Sequence, residues 1–220
     1  MKNILILGGS KGIGRGCVEY FKNLNYNVTS VARSNADING DLCDSSFRNY
    51  LVSNHQADIL INSAGRLGLP LEEALNINFT AIADLIMRYY EVLPAGSDIV
   101  NISSIAAMYA SGHHMINHER ISYNTSKNAI SNVCVSLSRC RRKDVRVTTI
   151  EPEMVVPTDL SYENKKQVNM MNYKNFNFNS YTPLQIDDIA CSINWIINQP
   201  RWVCISKLVI SNHCHKLRDD

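Results

Sequence analysis

No apolar run in this 220-residue chain approaches the roughly 18 residues that a membrane-spanning helix needs. No leader is expected before the first strand-like segment at Lys2. No Cys-x-x-Cys occurs: the seven cysteines, Cys17 to Cys214, are odd in number and irregular in spacing. Reduced thiols and a cytoplasmic location are therefore expected. Charge of one sign is also lacking, because the formal net charge is +2. That excludes broad electrostatic attraction to nucleic acid or to a membrane surface. The histidines lack a metal-site pattern. His113, His114 and His118 share one loop and His213 and His215 sit at the tail, without a fourth ligand or a structural zinc spacing, so no metal is expected. The basic group Arg139, Arg141, Arg142 and Lys143 reads as the end of a helix, where cations suit the dipole.

No linker or repeat divides the chain, and one domain over residues 1–220 is expected. Apolar residues make up 45% and charged residues 19%, enough for a sizeable core. Strand-like and helix-like segments alternate. The pattern predicts strands near 2–7, 26–32, 57–62, 98–103, 145–151 and 203–210, and helices near 12–24, 45–54, 70–92, 121–142 and 185–199. Buried strands alternating with helices imply an α/β fold: a doubly wound parallel sheet of the Rossmann type in three α/β/α layers. Ligands of such sheets bind beyond the carboxyl ends of the strands, which makes the irregular stretch 153–183 a candidate substrate lid.

The chemistry-bearing residues begin directly after the first strand. Gly8-Gly-Ser10-Lys11-Gly12-Ile13-Gly14 leads into a helical pattern carrying Cys17, Val18, Phe21 and Leu24 on one side. Strand, glycine turn and helix start form a cradle for a pyrophosphate. In it Gly8 allows the turn, Gly12 a close backbone approach, and Gly14 close helix–strand packing. The second strand ends in Ala32-Arg33-Ser34, and no carboxylate follows until Asp37. An acid there would accept from the ribose 2′-hydroxyl of NAD. Arg33 and Lys11 suit a 2′-phosphate instead, so NADP(H) is favoured over NAD(H).

Tyr123 and Lys127 lie four residues apart. On a helix that spacing puts both on one face. An ammonium beside a phenol favours the phenolate, so Lys127 is expected to lower the Tyr123 pKa.

Together these motifs resemble the short-chain dehydrogenase/reductase family along most of the chain. Asp41-Leu42 looks like the pair that contacts the adenine ring. Asn62-Ser-Ala64-Gly65 is similar to the Asn-Asn-Ala-Gly motif, and Asp98 to Ser104 to the strand that ends in the catalytic serine. The resemblance implies a catalytic set of Asn78, Ser104, Tyr123 and Lys127. The cofactor groove it implies is formed by the glycine turn, Arg33, Asp41, Leu42, Asn62, Ala64, Gly65, Lys127, Pro152 and Thr158. It implies reduction of a ketone or aldehyde on a small-molecule substrate. Tyr123 would donate the proton, Ser104 fix the oxygen, and Asn78 anchor a water linking Lys127 to solvent. Relatives of this kind pair two helices in homodimers or homotetramers, for which Met87, Tyr90, Ile130 and Val133 offer an apolar face. The fold also serves dinucleotide-sensing proteins and sugar-nucleotide-modifying enzymes, the latter usually longer. The chain departs from the family pattern in several places. Glu153 stands where glycine is usual, the spacing to Thr158 is one residue long, nineteen positions separate Ser104 from Tyr123, and Ser206 replaces a late glycine.

Overall fold

The computed structural model describes residues 1–108, 118–140, 144–156, 158 and 183–212. In chain order the elements are β1 (Asn3–Leu7), α1 (Gly12–Asn23), β2 (Asn27–Ala32), β3 (Ile38–Asn39), α2 (Ser45–Asn54), β4 (Ile59–Asn62), α3 (Leu71–Leu75), α4 (Ala81–Val92), β5 (Ser97–Ile102), α5 (His118–Arg139), β6 (Val145–Pro152), β7 (Val155–Val156), β8 (Leu184–Gln185), α6 (Ile186–Ile197) and β9 (Lys207–Ile210). The main sheet has seven strands in the order β3-β2-β1-β4-β5-β6-β9. Every pair is parallel. The order reverses between β1 and β4, which opens a crevice beyond the carboxyl ends of these two strands.

The strand side chains explain the three layers. In β1, Ile4 and Ile6 face one way and Leu5 and Leu7 the other. The Ile4 face packs on Cys17, Val18 and Phe21 of α1 and on Ile189, Ile193 and Ile196 of α6. The Leu5 face packs on Leu51 of α2, Ile82, Leu85 and Ile86 of α4, and Ile130 and Cys134 of α5. Strands covered on both faces read as continuous apolar runs, which is why the sequence shows them plainly. Burial pushes the Cys17 and Cys134 thiols up to about 12. All six cysteines among the described residues are free.

Four expectations need correction. The helix read at 70–92 is α3 and α4 joined by a π-helical turn, Asn76–Thr80. The strand read at 203–210 begins only at Lys207, because the Arg146 guanidinium takes the Val203 carbonyl and Val203 N–H closes a turn onto Pro200. A short edge strand, β3, joins the sheet beside β2; its two residues are too few for periodicity to register. The apolar face expected to pair copies is absent: Tyr90 and Ile130 are buried in the core, and Val133 packs against it. Of the four only Met87 is exposed. The basic group ends α5 at Arg139, and its other three members lie outside the described residues, as do His113, His114 and most of the 153–183 segment.

Candidate active site

The glycine turn is shaped as its spacing predicts. A Cβ on Gly8 would lie 2.7 Å from the Ala64 nitrogen, and Gly8 adopts φ +80°. A Cβ on Gly14 would lie 2.1 Å from the Gly8 carbonyl oxygen, so α1 approaches β1 at a distance only glycine permits. Gly12 has φ +55°, a conformation L side chains rarely adopt. α1 starts there, with Lys11 as N-cap, no acidic residue in its first turn and no side chain bonded across its cap. Its first N–H groups therefore offer an anion site between Ser10 and Ile13.

The other groove residues gather round this turn. Thr158 is buried against Gly12, with the side-chain carbons 3.7 Å from where a Cβ would stand. Pro152 ends β6 beside Ile210. Ala64 and Gly65 follow β4 against Gly8. Arg33 is exposed directly after β2. Asp37, the nearest following acid, is turned back onto β2: its carboxylate accepts from the Ser30 hydroxyl at 2.6 Å and the Ser30 N–H at 2.8 Å. These bonds hold its carboxyl below the usual range and keep it ionised and engaged. Asp41 accepts from Cys43 N–H at 2.8 Å, shaping its own loop, and Leu42 packs half-buried on the core.

Tyr123 and Lys127 share one buried face of α5. The Lys127 ammonium lies 5.8 Å from the Tyr123 ring centroid and donates to the Ile102 carbonyl at 3.2 Å. The expected pKa relation is overturned. Burial raises the Tyr123 phenol above its usual value, and the groups that draw it back are the Ser104 hydroxyl, by a side-chain hydrogen bond, and the Arg120 charge. Burial lowers Lys127 to about 8. The low-dielectric site disfavours both charged forms, and Lys127 is aimed at a carbonyl rather than at the phenol oxygen. Ser104 stands after β5, with its side chain accepting from Ala106 N–H and bonded to Tyr123.

Asn78 is buried at the π-helical turn, and its side chain is committed. Its oxygen accepts from Arg66 N–H at 2.7 Å, and its amide donates to the Arg66 carbonyl and to Ser126 Oγ. The Ser126 hydroxyl in turn donates to the Tyr123 carbonyl at 2.8 Å. Both amide hydrogens are thus spent on protein, which leaves Asn78 only acceptor capacity toward the expected water. Asn78 clamps the loop after β4 to α5. A Cβ on Gly65 would stand 3.1 Å from Lys127 Nζ and 3.4 Å from the Asn78 oxygen, so these two groups border one small space.

Asn62 is also structural in its first contact: it donates to Asn101 at 2.7 Å and accepts from Ala64 N–H. Glu153 follows the end of β6. It is exposed, and its carboxylate accepts from Asn212 N–H at 3.0 Å. His118 is the exposed first residue of α5, and no metal-binding group occurs among the described residues. No helix among them is long and apolar enough to cross a membrane.

Comparison with known proteins identifies the family. The model of the NAD dependent epimerase/dehydratase family matches residues 4–170. The chain belongs to that family and is a short-chain dehydrogenase/reductase. Serine 3-dehydrogenase of Rhizobium radiobacter is 26% identical over 93% of this chain and 91% of its own length. Two solved structures share the fold. A 4-hydroxyisoleucine dehydrogenase complexed with NADH has a TM-score of 0.74 at 22% identity, covering 96% of this chain and 97% of its own. A serine dehydrogenase complexed with NADP⁺ has a TM-score of 0.74 at 20% identity, covering 94% of each chain.

Proposed function

We propose that the protein is an NADP(H)-dependent oxidoreductase that interconverts a carbonyl and an alcohol on a small molecule. The observation that carries the reading is the juxtaposition of half-buried Ser104 with buried Tyr123 and Lys127, the latter close to Gly65. The cradle fits a dinucleotide: Gly8 and Gly14 allow the close turn and helix approach that shape it, and the first turn of α1 carries no acidic residue and no side-chain cap against a pyrophosphate. Lys11 and Arg33 would meet a 2′-phosphate, and the bonding of Asp37 to Ser30 engages the nearest acid that could favour NAD(H). When bound, the nicotinamide supplies or takes up the hydride.

This chain's residues do the remainder. In reduction the substrate oxygen accepts from Ser104, and Tyr123 gives it a proton as general acid. A phenol raised by burial stays protonated at neutral pH, the form a donor needs. Lys127, close to Gly65, would hold ribose hydroxyls and keep positive charge near the developing phenolate. The Rhizobium relative supports a serine-like substrate, with a hydroxyl near a carboxylate. Arg120, half-buried one turn before Tyr123, is suited to that carboxylate.

The test is oxidation of serine and a panel of 3-hydroxy acids with NADP⁺ and NAD⁺, followed by nicotinamide absorbance. Turnover with NADP⁺ that disappears in Tyr123→Phe is expected. Neither cofactor binding nor turnover on any alcohol or carbonyl would reject the reading.

A further inference from the structure

A line of buried polar groups crosses the sheet behind the site. It begins at Ala64 N–H, a pure donor, bonded to the Asn62 side-chain oxygen at 3.2 Å. Asn62 donates to Asn101 at 2.7 Å, and Asn101 to Thr149 Oγ1 at 3.4 Å. Thr149 meets Ser131 Oγ at 3.5 Å. Ser131 donates to Ser103 Oγ at 2.8 Å, and Ser103 to the Lys127 carbonyl at 3.0 Å. The line ends there on a pure acceptor. All five side chains are at most 4% exposed.

The direction of every bond follows from its ends. Ser103 has one hydroxyl hydrogen and a carbonyl to satisfy, so it accepts from Ser131. Ser131 has then spent its own hydrogen, so Thr149 donates to it and accepts from Asn101. The result runs one way, from the loop beside Gly8 through β4, β5 and β6 to the backbone of Lys127. Its links are unequal. The Ser131–Ser103–Lys127 end and the Asn62–Asn101 end are short, whereas both contacts at Thr149 exceed the usual hydrogen-bond range for their type.

Apolar residues of the same size would fill this space without burying polar atoms, so fold stability alone gives no reason for three hydroxyls here. The carbonyls served are informative. Ser103 bonds that of Lys127, and Ser126 bonds that of Tyr123. The Lys127 carbonyl is thus held from outside the helix, while the Ser126 bond to Tyr123 lies within α5 and is tied to Asn78.

We propose that Ser131 and Ser103 are positioning residues that set the register of α5, so that Lys127 keeps its reach to Ile102 and Tyr123 its place beside Ser104. Thr149 couples this pair to the cofactor-side loop, more weakly. The proposal rests on the oxidoreductase reading for its effect on turnover, but not for its effect on Lys127. The hydroxyls never touch the reacting atoms. They act in series, so losing the first should leave little for the second to lose.

The experiment compares the full chain with Ser131→Ala, Ser103→Ala, the double variant, Thr149→Val and Thr149→Ser. Turnover is measured well below each variant's unfolding temperature, with cofactor affinity and the titration of Lys127 followed by ¹⁵Nζ-lysine NMR. Lys127→Met identifies the signal. Ser131→Ala should lower kcat about 10-fold, within the range that small misplacement costs, with cofactor affinity within about two-fold. Its Lys127 should titrate at higher pH, nearer a solvated lysine. Ser103→Ala should match it, and the double variant should be no worse than the poorer single. Thr149→Val should show a smaller loss that Thr149→Ser restores. A folded Ser131→Ala with unchanged kcat and unchanged Lys127 titration would overturn the proposal, and so would fully additive losses in the double variant. A moved Lys127 titration with no turnover in any form, wild type included, would leave the positioning role standing and defeat the oxidoreductase reading instead.

Discussion

Lys127 directs its ammonium at the Ile102 carbonyl oxygen, 3.2 Å away, inside a site that lowers its pKa from 10.5 to about 8. One backbone acceptor does not replace the water it has left, so its charged form is held at a cost. Below pH 8 the residue is charged in both folded and unfolded chains, and the folded state bears the cost in full. Between about 8 and 10.5 the folded state has released the proton while the unfolded chain keeps it, so stability rises with pH across that window. Lys127→Met should therefore be more stable than wild type at pH 7, by on the order of 1–3 kcal/mol, since a tenfold change in proton affinity is worth about 1.4 kcal/mol. The gain should shrink toward pH 10. Denaturant midpoints at the two pH values check this, and a less stable variant at pH 7 would mean that the Ile102 bond outweighs the burial.

The Tyr123 phenol, raised by burial, serves as an acid more readily than as a base. Reduction should hold steady through neutral pH and fall above about pH 8 as Lys127 loses its charge. Oxidation should rise with pH as phenolate forms. Tyr123→Phe should lower both by roughly 10²-fold or more while the cofactor still binds. The pH profile of kcat in each direction is the measurement.

The proposed preference for NADP(H) rests on Arg33 and on the state of Asp37. The first is exposed after β2, and the second is tied to Ser30. Arg33→Ala should weaken NADPH binding by about 10-fold, as loss of a charge-assisted pair implies, and leave NADH nearly unchanged. Fluorescence titration of both cofactors decides it. Equal affinities in the wild type would refute the preference.

Glu153 accepts from Asn212 N–H across the end of β6 and β9. Glu153→Gly should cost about 0.5–1.5 kcal/mol of stability, for a lost hydrogen bond and a freer backbone. It should leave the affinities for oxidised and reduced cofactor alike. A selective loss for the oxidised form would show that the carboxylate reaches the nicotinamide.

Near the start of β6, Arg146 is buried and donates to Asp98 at 2.7 Å and to the carbonyls of Ile197, Gln199, Pro200 and Val203. It closes the C-terminus of α6 and orders the approach to β9. Arg146→Ala should destabilise by about 3–5 kcal/mol, because it leaves the Asp98 charge and these carbonyls with fewer partners. Thermal unfolding followed by circular dichroism is the check, and a loss below about 1 kcal/mol, the scale of a single ordinary hydrogen bond, would show that Arg201, 3.4 Å from Asp98, takes over.

Much of this was legible in the chain because it is local. A strand buried on both faces is a run of apolar residues, as at Ile4 to Leu7, and needs no knowledge of its neighbours. The turn at Gly8, Gly12 and Gly14 is legible for a similar reason: a missing side chain is itself the structural requirement. The helical offset from Tyr123 to Lys127 is a matter of pitch. Other features depend on where distant segments meet. Apolar spacing does not separate an α-turn from the π-turn that holds Asn78, so 70–92 reads as one helix. The carboxylates of Asp37 and Glu153 are visible in the chain, but their directions are set by Ser30 and Asn212, which the fold brings to them. The Tyr123 pKa follows burial rather than its neighbour four residues on, because desolvation depends on everything packed around a group. The line from Asn62 to Lys127 joins side chains from β4, β5, β6 and α5. No spacing in a linear chain encodes such a contact, since its geometry exists only once the strands have paired and the helix has settled on them.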